Sequence, residues 1–116
     1  MHAAPPADKP ALLLALSVEF PTVGAQYTSQ SATDDTYSPD KEYLGYYDAQ
    51  SCYAYNDARA KADKRFERTG PATRRRCANA FSGNFLNWAS GSAIDMLRLA
   101  LSGGDRHIDT PALTVL

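Results

Sequence analysis

The chain has 116 residues, with 12 Lys and Arg against 13 Asp and Glu, seven Tyr, seven Pro, seven Gly and two Cys. This length permits one small domain and excludes a second independent core, and such a domain buries only about 65% of the surface its unfolded chain exposes. The net charge of −1 supplies no global attraction to nucleic acid or to an anionic membrane, and no stretch approaches the roughly 20 consecutive apolar residues that span a bilayer.

Residues 1–10 carry Pro5, Pro6 and Pro10 and no periodicity, and they read as a flexible N-terminal arm. The apolar run 11–16 is too short for the apolar region of a signal peptide, follows Asp8 and Lys9, and lacks a small-x-small cleavage site. The N-terminus is therefore expected to be the start of a mature chain from which any export signal has been removed or omitted. Residues 11–20 are apolar on both alternating faces as far as Ser17, the pattern of a strand covered from both sides. Their Leu and Ala content would also suit a helix, but the short span between Pro10 and Pro21 favours the strand.

Residues 22–42 are rich in Thr, Ser, Asp and Gly and predict a long surface excursion with little core of its own, in need of tethering. The tyrosines Tyr43, Tyr46, Tyr47, Tyr53 and Tyr55 follow in close succession. A hairpin or meander with tyrosines on both faces is the structural reading, and a stacking platform for sugar or peptide is the functional one. Residues 58–68 predict a short, basic, exposed helix stopped by Gly70 and Pro71. Residues 85–101 predict the best helix of the chain, with Leu86, Ala89, Ala93, Leu97, Ala100 and Leu101 at three- and four-residue steps. Ser82 or Asn84 caps its start, and Gly103-Gly104 supplies the left-handed turn that ends it. Residues 108–116 read as a connector entering a strand at 113–116. A chain stopping inside an apolar strand is expected to be a piece of a longer protein.

Charge is unevenly placed. Residues 1–58 hold eight acids against two lysines, a balance of −6. Residues 59–77 hold Arg59, Lys61, Lys64, Arg65, Arg68, Arg74, Arg75 and Arg76 against Asp63 and Glu67, a balance of +6. Two solvated surfaces that attract one another are the plain reading, and a basic patch that docks an acidic partner is the functional one. Nucleic acid is disfavoured, since Phe66 is the only aromatic interleaved with the basic run.

Cys52 and Cys77 stand too far apart for CxxC redox chemistry and are too few for a zinc site without His2 and His107. A structural disulfide is preferred over two free thiols or a metal. The run from Asp40 to Asp48 imitates a calcium loop, but Leu44 falls where a ligand is required and Ser51 replaces the closing carboxylate. Nucleophilic catalysis lacks a positioned histidine. In the connector after the long helix, Arg106 and Asp109 are expected to satisfy one another rather than to act as acid and base. No glycine-rich phosphate loop precedes a helix. The chain thus reads as non-enzymatic.

The string Phe81-Ser82-Gly83-Asn84-Phe85-Leu86-Asn87-Trp88-Ala89-Ser90, with Ile94-Asp95-Met96-Leu97-Arg98 and Leu101-Ser102-Gly103-Gly104-Asp105-Arg106 beyond it, resembles the PilY family of type IV pilus tip and biogenesis proteins. Ser17-Val18-Glu19-Phe20-Pro21-Thr22, Tyr43-Leu44-Gly45-Tyr46-Tyr47-Asp48 and Cys52-Tyr53-Ala54-Tyr55 are similar to family segments in the same order. The resemblance implies an exported protein of the periplasm, pilus tip or cell surface. It also implies an α/β, von Willebrand factor A-like fold for residues 11–116. In that fold 11–19 would be the central strand, 22–80 a disulfide-tied insertion, 85–101 the first helix and 113–116 the start of the second strand. The C-terminal part of the domain and the family's β-propeller, with its calcium site, would lie outside the chain. The metal-binding Asp-x-Ser-x-Ser motif of such domains is not matched at Ser17 to Thr22, so no cofactor is expected.

The implied function is protein–protein contact in pilus biogenesis, twitching or adhesion. The expected partners are minor pilins or other pilus-tip components, the rest of a longer PilY-type chain, or a host surface. Candidate partner-binding residues are Tyr46, Tyr47, Tyr53, Tyr55, Arg74, Arg75 and Arg76, and Cys52 and Cys77 are the expected disulfide. The alternative is a carbohydrate-binding module that uses the tyrosine cluster.

Overall fold

In a computed structural model, which describes Leu13, Ala15 and residues 23–28, 36–104, 108–111 and 113–115, the second half of the tyrosine segment is strand β1 (Ser51–Asn56). Strand alternation puts Tyr53 and Tyr55 on one face and Cys52 and Ala54 on the other. The basic stretch turns back on β1 through a 3-10 turn at Lys61–Asp63 and becomes β2 (Arg65–Pro71), antiparallel to it. The helix expected over 58–68 is therefore not formed. Phe66 decides the matter: as a strand residue opposite Tyr55 it also meets the rings of Tyr47 and Phe81. These contacts outweigh the modest helix preference of Arg and Lys. Thr69 is the extra residue of a bulge opposite Cys52 and Tyr53, and its hydroxyl donates to the Cys52 carbonyl at 3.2 Å. The short β3 (Phe81–Ser82) pairs with the other edge of β1, giving the order β2-β1-β3.

Helix α1 (Gly83–Ser90) leaves β3 directly, with the Ser82 hydroxyl accepting the Phe85 N–H at 3.1 Å. Of the two expected caps, Ser82 is the one used. The long helix expected over 85–101 is divided. Gly91 ends α1, and α2 (Ala93–Ser102) starts afresh at Ser92, whose hydroxyl accepts the Asp95 N–H at 3.3 Å and donates to the Asp95 carboxylate at 2.5 Å. The signal for this restart, Ser-x-x-acid just after a glycine, is present in the sequence and is masked by the continuous apolar periodicity around it. The break leaves the Gly91 carbonyl free to accept the Gln26 N–H at 2.9 Å, tying residues 23–28 to the helix pair. Gly103 and Gly104, at φ 75° and 97°, close α2 with N–H bonds to the carbonyls of Leu99 and Arg98, as the sequence predicts.

Strands β4 (Ile108–Thr110) and β5 (Leu113–Val115) form an antiparallel hairpin. The connector expected before residue 113 is thus itself a strand. Of the expected central strand only Leu13 and Ala15 are described; neither belongs to a strand, and Leu13 is 93% exposed. The remainder of 11–19, and Asp105, Arg106 and His107, lie outside the described residues. No described helix is long and apolar enough to cross a membrane.

The interior is largely polar. Among the described residues, the buried apolar side chains are Tyr43 and Leu86, while Ser51, Ser82, Asn84, Asn87 and Ser92 are the buried polar ones. Asn84 and Asn87, one turn apart on α1, face the irregular segment 41–47. Asn84 accepts the Tyr43 N–H at 2.8 Å and donates to the Lys41 carbonyl at 2.8 Å and the Tyr37 hydroxyl at 3.3 Å. Asn87 accepts the Tyr47 N–H at 2.9 Å and donates to the carbonyls of Tyr43 and Tyr47, both at 2.8 Å. Each amide thus supplies to the loop the backbone partners that a neighbouring strand would otherwise provide. The first half of the tyrosine segment is consequently not a hairpin strand but a loop moulded to a helix. Gly45 is required there, since a Cβ at that position would fall on the Asn87 side chain.

The Cys52–Cys77 disulfide forms as expected, with Cα atoms 5.9 Å apart, and encloses the β1–β2 hairpin. Replacing both cysteines by serine is expected to lower stability by about 3 kcal/mol in urea denaturation, the loop-closure value for a bridge of this span. Asn87→Ala leaves the buried Tyr43 carbonyl and the half-buried Tyr47 N–H and carbonyl without these partners and is expected to lose about 2–4 kcal/mol in the same assay. Asn87→Asp, which turns an acceptor toward two carbonyls, should be at least as damaging.

Candidate functional site

Two surfaces gather the candidate residues. The first is a cleft of about 720 Å³ beside the β1–β2 sheet, to which Tyr46, Tyr47 and Tyr53 contribute. Tyr47 and Tyr53 meet edge to face, with ring centroids 5.1 Å apart, and Phe66 lies edge-on to Tyr47 at 6.0 Å. Burial, with the Tyr53 hydroxyl nearby, pushes the Tyr47 phenol above its ordinary pKa, so it remains a neutral hydrogen-bonding group at physiological pH. The Tyr46 hydroxyl donates to the Asp95 carbonyl at 3.2 Å, joining the loop to α2. Tyr55 packs on Phe66 at 5.2 Å and does not line the cleft. Edge-on packing gives these rings no shared flat shelf of the kind on which a sugar face stacks.

The corner of the loop is set by Asp48. Its carboxylate accepts the Gln50 N–H at 3.0 Å and the Ser51 hydroxyl at 2.5 Å, and its own N–H donates to the Tyr53 hydroxyl at 3.1 Å. The Ser51 hydroxyl, then the Gln50 N–H and the nearby Arg68, hold its pKa below the usual carboxylate range. The next residue to pack here is Gly83, where a Cβ would strike the Asp48 carbonyl and crowd the Tyr53 ring. The glycine and two asparagines of one helix do not line the cleft themselves; they hold the loop that carries Tyr46 and Tyr47 into it and leave room for the Asp48 corner.

The second surface is the turn that carries the three arginines. Thr73 and Arg76 exchange both backbone hydrogen bonds at 3.0 Å across Arg74 and Arg75, which stand at φ 50° and 58°. This is a two-residue hairpin turn with two left-handed positions, usually filled by Asn and Gly. The left-handed conformation costs about 1–2 kcal/mol per ordinary residue, so the surroundings must hold it. Arg75 does this by folding inward: its guanidinium donates to the Pro39 carbonyl at 3.2 Å and pairs with Glu42 at 3.0 Å, while its own carbonyl accepts from Tyr37 at 3.4 Å. Cys77 fixes the outgoing strand through the disulfide. Arg74 and Arg76 are exposed and make no ion pair with any described residue. The three arginines, treated alike in the sequence, thus divide into one tether and two outward cations.

Several of the remaining cations are also engaged internally. Arg59 and Arg65 pair with Glu67 at 2.7 and 3.2 Å, and Arg68 donates to the Ser51 hydroxyl at 2.7 Å. The Asn56 amide first, and Arg59 and Arg65 next, lower the Glu67 pKa. The functional residues that the sequence reading missed are Asn84 and Asn87. Their signal was two asparagines inside an otherwise strong helix, where that residue type competes with the backbone and needs another use. Because Asp48 and Glu67 have lowered folded-state pKa values, their contribution is present above the unfolded carboxylate pKa and is lost as pH falls through the folded one. Thermal melts are therefore expected to show falling stability below about pH 4, with a shallower acid limb in Asp48→Asn.

Residues 34–116 match the family model described as PilY1 homolog, small alpha/beta domain. Two curated relatives from Xylella fastidiosa (strain Temecula1 / ATCC 700964) are each named type IV pilus biogenesis factor PilY1 homolog. One is 38% identical over 111 residues, covering 90% of this chain and 9% of the relative. The other is 38% identical over 84 residues, covering 72% of this chain and 6% of the relative. The chain therefore spans less than a tenth of the length of either. No solved structure gives a significant match. The matched span contains the asparagine-bearing helix, the loop it holds, both cysteines and the arginine turn, and the chain belongs to the PilY1 homolog family, whose small α/β domain it carries.

Proposed function

We propose that the chain is a non-enzymatic contact module of a type IV pilus biogenesis factor. It acts outside the cytoplasm, in the periplasm, at the pilus tip or at the cell surface, and works through protein–protein contact in pilus assembly, twitching or adhesion. The observation that carries this reading is the arginine turn. Two exposed cations without an ion-pair partner among the described residues stand on a strained two-residue turn braced by Arg75 and by a disulfide, a rigid presentation suited to an acidic surface. The names of the relatives support the pilus context, and a disulfide suits an oxidising compartment. Pilus-tip components such as minor pilins, the remainder of a longer PilY-type chain, and a host surface are the partners in this reading.

The larger fold belongs to the same proposal: residues 11–19 as the central strand of a von Willebrand factor A-like sheet, with 22–80 inserted after it. Two features support this, the apolar character of both faces of 11–16 and the amphipathic α2, which packs on none of the other described elements. Carbohydrate binding by Tyr46, Tyr47, Tyr53 and Tyr55 is the weaker alternative, because Tyr47 and Tyr53 meet edge to face and Tyr55 packs on Phe66 outside the cleft.

The test is an Arg74→Glu/Arg76→Glu double variant in the full-length protein of the native bacterium. Loss of surface pili or of twitching is expected, with the melting behaviour of the isolated chain little changed, since exposed substitutions usually stay within about 0.5 kcal/mol. Arg75→Ala, in contrast, should lower stability. Normal piliation, twitching and adhesion in the double variant would remove the turn from the function.

A further inference from the structure

We infer that the cleft between β2 and the β4–β5 hairpin receives an extended acidic peptide segment of a partner protein, added as a strand along the open edge of β2. This surface is separate from the arginine turn, and the inference does not require that turn to function.

Successive side chains of a strand point to opposite faces of its sheet. Yet four consecutive residues of β2, Arg65, Phe66, Glu67 and Arg68, all line the same cleft. A cavity lying over one face alone would collect alternate residues; one that collects every residue of this stretch of β2, together with Tyr53 of the inner strand, extends from the face that carries Tyr53 and Phe66 round the strand's outer edge. β2 is an outer strand of the order β2-β1-β3, so the edge it turns to the cleft has no strand paired to it among the described residues. The far end of β2 is closed to pairing by the Thr69 bulge and by Pro71, devices that blunt an edge. The Arg65–Arg68 portion has neither.

The β4–β5 hairpin supplies another part of the lining. Leu113 and Val115, two apart on β5 and so on one face of the hairpin, also line the cleft. The space is thus bordered by a strand edge and by an apolar sheet face, and the Tyr47 and Phe66 rings line it as well. An extended chain inserted there would hydrogen-bond to β2 with its backbone and place alternate side chains against Leu113 and Val115 or toward the arginines. The cleft volume lies within the range of ligand sites of about 300–1,000 Å³.

Charge selects the occupant. Arg65, Arg68 and Arg98 face Glu67 and Asp95 in the cleft, an excess of one positive charge. Arg65 shares Glu67 with Arg59, and Arg98 reaches Asp95 at only 4.0 Å, with its side chain 55% exposed. Lys61 and Lys64, with Asp63 between them, immediately precede β2 and make no ion pair with a described residue, a local balance of one further positive charge. Charged side chains on an edge strand repel most other strands; a strand bearing carboxylates is the kind that this edge attracts.

The test uses the chain with three fluorescent seven-residue probes: acetylated peptides of alternating Asp and Val, of alternating Lys and Val, and the Asp-Val peptide with its backbone nitrogens methylated. The Asp-Val probe is expected to bind saturably and to weaken as salt rises. The Lys-Val probe and the methylated probe should each bind at least about tenfold more weakly, the first for want of charge complementarity and the second for want of strand hydrogen bonds. Arg98→Glu, on the exposed face of α2, should weaken the Asp-Val probe by a similar factor. Arg74→Glu/Arg76→Glu should leave it unchanged, which separates this inference from the proposed role of the turn. Equal binding of the methylated probe, preference for the Lys-Val probe, or no binding up to millimolar concentration would overturn the inference. So would sedimentation showing a dimer of this chain that excludes the probe, since a second copy would then occupy the edge.

Discussion

The arrangement depends on two side-chain amides. Asn84 and Asn87 lie on one face of α1 and take up the backbone groups of a loop that has no strand or helix of its own to satisfy them. An unpaired buried backbone group carries a penalty of about 1–3 kcal/mol, so a loop cannot enter the interior unless something replaces water at each group. Asparagine is suited to this because its amide presents one acceptor and two donor hydrogens at a fixed spacing, a copy of the peptide group itself. A serine would be too short and lacks the paired donors, and an aspartate would offer only acceptors. Placing two such groups one helical turn apart fixes the loop at two points and therefore fixes its register along the helix.

Everything on the candidate surfaces follows from that register. Between the two anchors sits Gly45, pressed against Asn87, and after the second anchor the chain turns at Asp48 into β1. Tyr47 is consequently delivered to Tyr53 and Phe66, and Tyr46 to α2. Upstream of the first anchor, Pro39 and Glu42 are delivered to Arg75, which in turn holds the arginine turn in its left-handed conformation. The aromatic cleft and the basic turn lie at opposite ends of one loop, and the same pair of asparagines sets both. Two of the strings that carry the family resemblance, the one on α1 and the one from Tyr43 to Asp48, are therefore the two halves of a single interaction.

Local rules made part of this legible in the sequence. The Ser82 cap, the Gly103-Gly104 stop and the pairing of two cysteines each depend on a few residues, and each is found where the sequence places it. The errors arose where a distant contact overruled a local preference. The basic run has fair helix propensity, but Phe66 is worth more among Tyr47, Tyr55 and Phe81 than on an exposed helix. The apolar repeat through Leu86, Ala93 and Leu97 is continuous in number, yet Ser90-Gly91-Ser92 interrupts it because the Gly91 carbonyl bonds to Gln26 and Ser92 caps a new helix. The inward fold of Arg75 had no sequence signal, since it depends on where residues 39–42 lie. For the asparagines a signal did exist, their unsuitability for a helix interior, although only the loop reveals what they do.

With Tyr43 and Leu86 as the buried apolar side chains among the described residues, hydrophobic burial alone is a weak source of stability here, and the polar contacts and the disulfide act on different sides of the folding equilibrium. The asparagine bonds act in the folded state. They replace bonds to water, so their net gain is modest, but any shifted register leaves several buried groups unsatisfied, and that asymmetry makes one loop conformation far preferable to its neighbours. The disulfide acts chiefly on the unfolded chain, whose freedom it restricts without favouring any particular loop register. One interaction therefore specifies the structure and the other makes it durable. The charge asymmetry fits the same division. Arg75 and Glu42 join the basic and acidic stretches at a point where geometry is already fixed, which leaves the neighbouring Arg74 and Arg76 exposed, toward whatever the module meets.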